Sequence, residues 1–397
     1  MGAPTLADMT TAPATPGALP FRIEFSRRAI EDLHRRIDAT RWPDRRFDAA
    51  WDAGTSDAVL RDLVHYWRRE FDWFEWQERL NRLPHIRAPL VDLEETHAVV
   101  LAGPGSDRVP VLLLHGWPGS FIELLPAAER LATDEDGAGI DVVIPSLPGF
   151  GFSDAPLAPG MHPGRIAERM HDLMRLLGYE RYVVQGGDWG AIVGARLARA
   201  HPEAVIGLHL NFPALVPDEA ETEEEREARD RSARWRGQES AYGQLQGTKP
   251  QTLAYGLTDS PIGQLAWILE KFWAWSDHGD DLWDTFDRDQ LLANVTLYWL
   301  TGTALSSART YLEARRERPV FRPTDRCEAP TAFTRYPAEP WFTPRSAFER
   351  AYRLVRWTEA PRGGHFAAME QPAWFARDVA SFARQVARPS AVEPPAP

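Results

Sequence analysis

A chain of 397 residues, 44% of them hydrophobic, is long enough for one large core with an insertion, or for two domains. The net charge of −12 argues against a nucleic-acid partner, whose binding needs a basic face, and against an anionic membrane surface. Cys327 is the only cysteine, so an internal disulfide is excluded and a reducing compartment is expected.

Residues 1–20 are rich in Ala, Thr and Pro and read as a disordered tail, as do residues 389–397. The start lacks the basic and apolar run of a leader. No later segment reaches the roughly 18 uncharged apolar residues of a membrane span, so a soluble, cytoplasmic protein is expected. Residues 21–94 read as helical and rich in tryptophan. "RRAIEDLHRRIDATRW" and "DAVLRDLVHYWRREFDWFEWQERL" carry apolar residues at helical spacing. Trp42, Trp51, Trp67, Trp73 and Trp76 fall here, and packing onto the main domain is the expected use of such large rings.

Residues 95–214 alternate strand and helix. "THAVVLAG", "VPVLLLHG", "IDVVIPSLPG", "RYVVQGG" and "AVIGLHLNF" are β-rich runs, with "GRIAERMHDLMRLLGY" and "WGAIVGARLARAHP" as helices between them. Such alternation implies an α/β fold with a mostly parallel sheet covered on both faces. Residues 215–320 lose that rhythm. They open on the charge run "DEAETEEEREARDRSARWRGQ", read as a solvated helix face, and continue as aromatic helices. A helical insertion of this kind reads as a lid. Residues 321–388 return to strand and helix, closing with "WFARDVASFARQVA".

The strongest chemical signal is "VVQGGDWGAIVGARLA", where a strand runs through Gly186-Gly187-Asp188-Trp189-Gly190 directly into a helix. This has the Gly-x-nucleophile-x-Gly form of the α/β-hydrolase elbow. The tip stands at a helix N-terminus, where partial positive charge favours an anion, and here the tip is Asp188. In "VLLLHGWPGS" a buried strand ends in His115-Gly116-Trp117-Pro118. The backbone amides of Trp117 and Trp189 are the expected oxyanion donors. His365 in "EAPRGGHFAAMEQP" sits on a Gly-rich loop between a strand and the last helix and is the candidate base, preferred over His115. Glu339 in "TAFTRYPAEPWFTP" follows a strand and completes the order nucleophile, acid, base; Asp325 and Glu328 precede that strand and are its rivals.

A carboxylate attacking an acyl group would give only a labile anhydride. Displacement at an sp³ carbon bearing a leaving group gives an alkyl ester instead, which a histidine-activated water can cleave. That logic points to epoxides and haloalkanes, and it calls for neither a cofactor nor a metal.

"HGWPGS", "PGFGFSD", "GGDWG", "YPAE" and "RGGHFAAMEQP" resemble the microsomal-type epoxide hydrolases, including the juvenile-hormone and fungal branches. The resemblance covers about residues 21–386, with an N-terminal region peculiar to that family and a matching lid stretch. It departs at the N-terminus, since animal members carry a membrane anchor and no such segment stands here. The resemblance implies Asp188 as nucleophile, His365 as base and Glu339 as acid. It also implies two lid tyrosines on the epoxide oxygen, matched by Tyr242 and Tyr311, with Tyr298 the nearest rival to the latter. A cis Trp117–Pro118 peptide is implied as well. A bulky, apolar or aromatic epoxide is the expected small-molecule partner, and a homo-oligomer is left open. Two other readings remain: a haloalkane dehalogenase, which shares the aspartate elbow, and a non-catalytic module on the same fold.

Overall fold

The computed structural model describes residues 17–44, 50–133, 139–213, 222–317 and 326–388. Residues 1–16 and 389–397, read as tails, and the rival Asp325 lie outside them. The first elements are β1 (Leu19–Phe21), α1 (Arg27–Asp38), α2 (Asp57–Arg69), α3 (Trp73–Leu80), β2 (His85–Leu90) and β3 (Leu93–Leu101). There follow β4 (Arg108–Leu114), α4 (Phe121–Ala132), β5 (Gly139–Pro145), α5 (Pro163–Leu176), β6 (Tyr182–Gly186), α6 (Asp188–Ala200) and β7 (Val205–Leu210). The lid runs from α7 (Glu223–Glu239) through α8 (Ala241–Gln246), α9 (Pro250–Asp259), α10 (Pro261–Trp275) and α11 (Arg288–Thr301) to α12 (Ala304–Arg316). The chain closes with β8 (Cys327–Arg335), α13 (Arg345–Ala351), β9 (Tyr352–Glu359), α14 (Ala367–Glu370) and α15 (Pro372–Ala387).

Among the described residues the strands form one sheet in the order β1-β2-β3-β5-β4-β6-β7-β8-β9. Pairing is antiparallel from β1 to β5 and parallel from β5 to β9. The parallel half explains its own sequence: β5 and β6 are buried along their whole length, so they read as near-continuous apolar runs.

Two features differ from the sequence reading. The stretch 21–94 is not all helix, because β1 and β2 extend the sheet, and β1 takes in Leu19 and Pro20 of the supposed tail. Both strands are short and carry a proline, so no alternation marks them, and the pairing itself makes them strands. The long helical run 57–80 is two helices, broken where the Asp72 carboxylate accepts from the Phe74 amide and starts α3.

The N-terminal tryptophans pack inward. Trp67, Trp73 and Trp76 are buried, Trp67 Nε1 donates to Thr296 Oγ1 in the lid (3.0 Å), and Trp51 stacks on Trp273 with centroids 4.4 Å apart. The charged helix α7 is mostly solvated, yet Glu225 is buried and accepts both Arg350 Nη1 and Nη2, at 2.8 and 2.9 Å. One face of that helix therefore docks on α13, which a run of mixed charge does not announce.

Beneath β2, β3 and β5 runs a buried polar chain. His85 Nε2–H donates to Leu80 O (2.8 Å), His97 meets His85 Nδ1 (2.8 Å), and the Ser146 hydroxyl meets His97 Nδ1 (2.9 Å). The carbonyl at one end fixes the tautomers down the line. Burial drops the His85 pKa to about 4 and holds His97 well below its usual range.

Both imidazoles are thus neutral in the fold, while the unfolded chain binds their protons from about pH 6.5 downward. Their stabilisation is complete above that pH and is lost as pH falls toward about 4. His85→Gln removes one such proton. Its destabilisation, read from urea midpoints at pH 7, 6 and 5, should therefore shrink on acidification, with a slope that approaches about 1.4 kcal/mol per pH unit below pH 6.5. A destabilisation that grows toward pH 5 would contradict the assignment.

Candidate active site

Strand β6 ends at Gly186, and one residue later Asp188 opens α6 with φ +46°, a left-handed conformation that costs a non-glycine residue free energy. The turn is that sharp because α6 crowds β4. A Cβ on Gly190 would lie 2.1 Å from the Leu114 carbonyl oxygen, so no larger residue fits behind the elbow. Asp188 Oδ1 accepts the Trp117 amide at 2.8 Å. Gly116 makes room for this contact, since a Cβ there would stand 2.2 Å from the same oxygen. The Trp117–Pro118 peptide is cis. Lid helix α11 grips the loop that follows: Asn294 Nδ2 donates to Pro118 O (2.9 Å) and the Tyr298 hydroxyl to Gly119 O (2.7 Å).

The other carboxylate oxygen of Asp188 lies 3.5 Å from His365 Nε2, and His365 Nδ1 lies 2.9 Å from Glu339 Oε2. Glu339 Oε1 accepts the Trp341 amide at 3.2 Å. The imidazole is buried among the rings of Phe212, Trp275, Trp341 and Phe366. Burial works against its charge, but the Glu339 carboxylate, and then Asp188, outweigh burial and push its pKa up to about 10. His115 stands apart from this work: Nε2 accepts the Leu147 amide (3.1 Å), Nδ1 bonds Gly116 O (3.1 Å), and burial holds its pKa at about 4.

Tyr242 on α8 and Tyr311 on α12 come from opposite ends of the lid, and their rings meet with centroids 5.9 Å apart. Tyr242 stacks on the Trp117 ring (5.3 Å), and Tyr311 stands edge-on to both Trp117 (5.9 Å) and Trp189 (4.7 Å). Burial, reinforced by the Asp188 charge, raises both phenols well above their usual pKa. The structure thus brings Asp188, His365, Glu339, Tyr242, Tyr311, Trp117 and Trp189 together. Tyr298 is committed to the Gly119 carbonyl, and Glu328 is an exposed residue of β8.

Sequence reasoning missed two groups that hold the histidine loop. The buried Glu370 carboxylate accepts the amides of Asp277 (2.8 Å), Gly364 (2.8 Å) and Phe366 (2.9 Å). Asp277 Oδ2 accepts the Gly363 amide (2.7 Å), and the His365 amide donates to Trp275 O (2.8 Å). A carboxylate five residues beyond a candidate base, in a loop otherwise rich in small residues, was the available signal. A cavity of about 790 Å³ lies elsewhere, between β1, the segment after β5 and the turn from α11 to α12; none of Asp188, His365 and Glu339 lines it.

A mostly parallel sheet, a side chain raised on the turn after β6 and a helical cap over that turn define an α/β-hydrolase. Comparison with known proteins bears this out, the alpha/beta hydrolase fold model matching residues 109–257 and the epoxide hydrolase N terminus model residues 18–124. A Stigmatella aurantiaca protein provisionally named an epoxide hydrolase is 42% identical over 93% of this chain and 86% of its own. Epoxide hydrolase 1 of Oryctolagus cuniculus is 34% identical over 93% and 89%. The solved epoxide hydrolase of Aspergillus niger superposes with a TM-score of 0.85 at 29% identity, over 96% of this chain and 99% of that one. The chain belongs to the epoxide hydrolase family. Among the described residues no helix is long and apolar enough to cross a membrane.

The His365 charge gives a direct test of the geometry. Its imidazole N–H resonances should persist through pH 8 in the resting protein. Glu339→Gln should move the loss of the proton down by about 1–3 pH units, because the first of the two supporting carboxylates is gone. An unchanged titration would mean that Glu339 does not act on His365.

Proposed function

We propose that the protein converts an epoxide and water to a vicinal diol in two steps, through an ester on Asp188. The observation that carries this reading is the constellation in which one Asp188 oxygen faces a backbone amide, the other faces His365, and two lid phenols meet against the rings of Trp117 and Trp189.

In the first step a carboxylate oxygen of Asp188 attacks one epoxide carbon. The C–O bond of the ring breaks, and Tyr242 or Tyr311 gives its proton to the departing oxygen. With pKa values well above 10, both phenols hold their protons at any working pH. Attack also removes the Asp188 charge. That charge is among the causes that keep the phenols and His365 protonated, so its loss makes each of them more acidic as the ring opens. His365 then gives up its proton to restore the phenol, and so becomes the base for the second step.

In that step His365 takes a proton from water, whose oxygen adds to the ester carbonyl carbon. Amides at the elbow and at Trp117 stabilise the oxyanion. The intermediate collapses, His365 returns the proton to the leaving alkoxide and takes one back from the Asp188 carboxyl group so formed, and the diol departs with an oxygen from Asp188. The ring of aromatic side chains supports a bulky, apolar epoxide as substrate.

Asp188→Ala should abolish turnover. His365→Gln should spare alkylation more than hydrolysis, so an ester on Asp188 should accumulate and appear by intact mass. A single turnover in ¹⁸O-water should leave the first diol unlabelled, and label in that product would rule out the ester. For the lid acids, each single Tyr→Phe change at 242 or 311 should slow alkylation and the double change should slow it by about 10²–10⁴-fold. Wild-type ring opening by the double variant, with halide released from haloalkanes, would favour a dehalogenase.

A further inference from the structure

Glu123 is an acid the two-step reading leaves unused. It lies in the first turn of α4, three residues after the Ser120 cap, where a glutamate ordinarily faces solvent or closes back on the helix start. Here it folds over Gly119: its Oε2 lies 1.4 Å from the point where a Cβ on that glycine would stand. The side chain is partly buried, and among the described residues no arginine, lysine or histidine pairs with it. It lines a cavity of about 20 Å³ together with Gly116, Trp117, Asp188, Asn211 and His365. That volume accommodates about one water, which needs at least two polar partners to be held.

We infer that Glu123 is a further catalytic residue of the second step, holding the attacking water between its carboxylate and His365 so that a lone pair faces the Asp188 ester carbon. A water has two O–H groups. With one given to His365 Nε2 and the other to Glu123, the side of the oxygen that carries its lone pairs has a defined direction. Glu123 forms and breaks no covalent bond in this role; it accepts a hydrogen bond while the proton goes to His365. Burial pushes the Glu123 pKa up to about 8, with His365 and the Gly116 amide opposing the rise and the Asp188 charge adding to it, so the accepting carboxylate predominates above that pH.

The inference rests on the ester reading, and the test separates the two. Single turnovers with styrene oxide, followed by stopped-flow tryptophan fluorescence and by intact mass after acid quench, resolve ester formation from breakdown. Glu123→Gln should leave ester formation within about twofold of wild type and slow breakdown by about 10²-fold. Gly119→Ala keeps the carboxylate but displaces it, because the new Cβ takes its place, so it should slow breakdown in the same selective way. The double variant should be no slower than Glu123→Gln alone. This second variant also carries the test if Glu123→Gln fails to fold. Equal slowing of both steps, or breakdown at the wild-type rate in a variant that does form the ester, would overturn the role of Glu123 alone. Absence of ester from every variant, His365→Gln included, would overturn the two-step reading and this role with it.

Discussion

The negative charge of Asp188, held on a strained turn, is the interaction on which the rest of the site depends. The elbow lifts it out of the sheet at φ +46°, the N-terminus of α6 favours it, and the Trp117 amide fixes one of its oxygens. That same charge supports the proton on His365 and those on the two lid phenols. When it is consumed in bond formation, every proton it supported becomes easier to lose. The order of the proposed steps then follows from electrostatics, with no moving part required to switch the histidine from cation to base.

The positions of these groups are set from three directions. β4 and β6 place the loop at 116–119 and the elbow side by side, since the two strands pair in register up to Leu114 and Gly186. α11 holds the loop through Asn294 and Tyr298. The end of α10 holds the histidine loop through Trp275 and Asp277, with Glu370 gathering the remaining amides. The lid is therefore part of the scaffold that aims the candidate catalytic groups, as well as the source of the phenols.

Much of this was legible in the sequence where a local pattern has a local cause. "GGDWG" can fold in few ways besides a sharp strand-to-helix turn, and buried parallel strands such as "VVIP" announce themselves by composition. The order of Asp188, Glu339 and His365 along the chain was readable for the same reason. What escaped reading depends on partners distant in sequence. β1 and β2 are strands because they pair, Glu225 is buried because Arg350 meets it, and Glu370 matters because α10 ends beside it. Glu123 escaped because it mimics an ordinary residue of a helix start, and only its fold over Gly119 turns it inward.

The N-terminal helices are fastened to the lid along its length. Arg36 Nη1 bonds Asp259 (3.0 Å), the Thr55 hydroxyl donates to Ala266 O (2.7 Å), Tyr66 reaches Asp289 (2.8 Å), and Trp67 reaches Thr296 (3.0 Å). The two regions thus pack as a matched pair. A cap transplanted from a hydrolase that lacks this belt would arrive with its outer face unsupported, and its phenols would inherit that looseness. Changes of substrate range in this scaffold are accordingly expected to come as coordinated substitutions on both sides of the seam, and a recombination library that cuts between belt and cap should yield far fewer working chimeras than one that moves them as a single block.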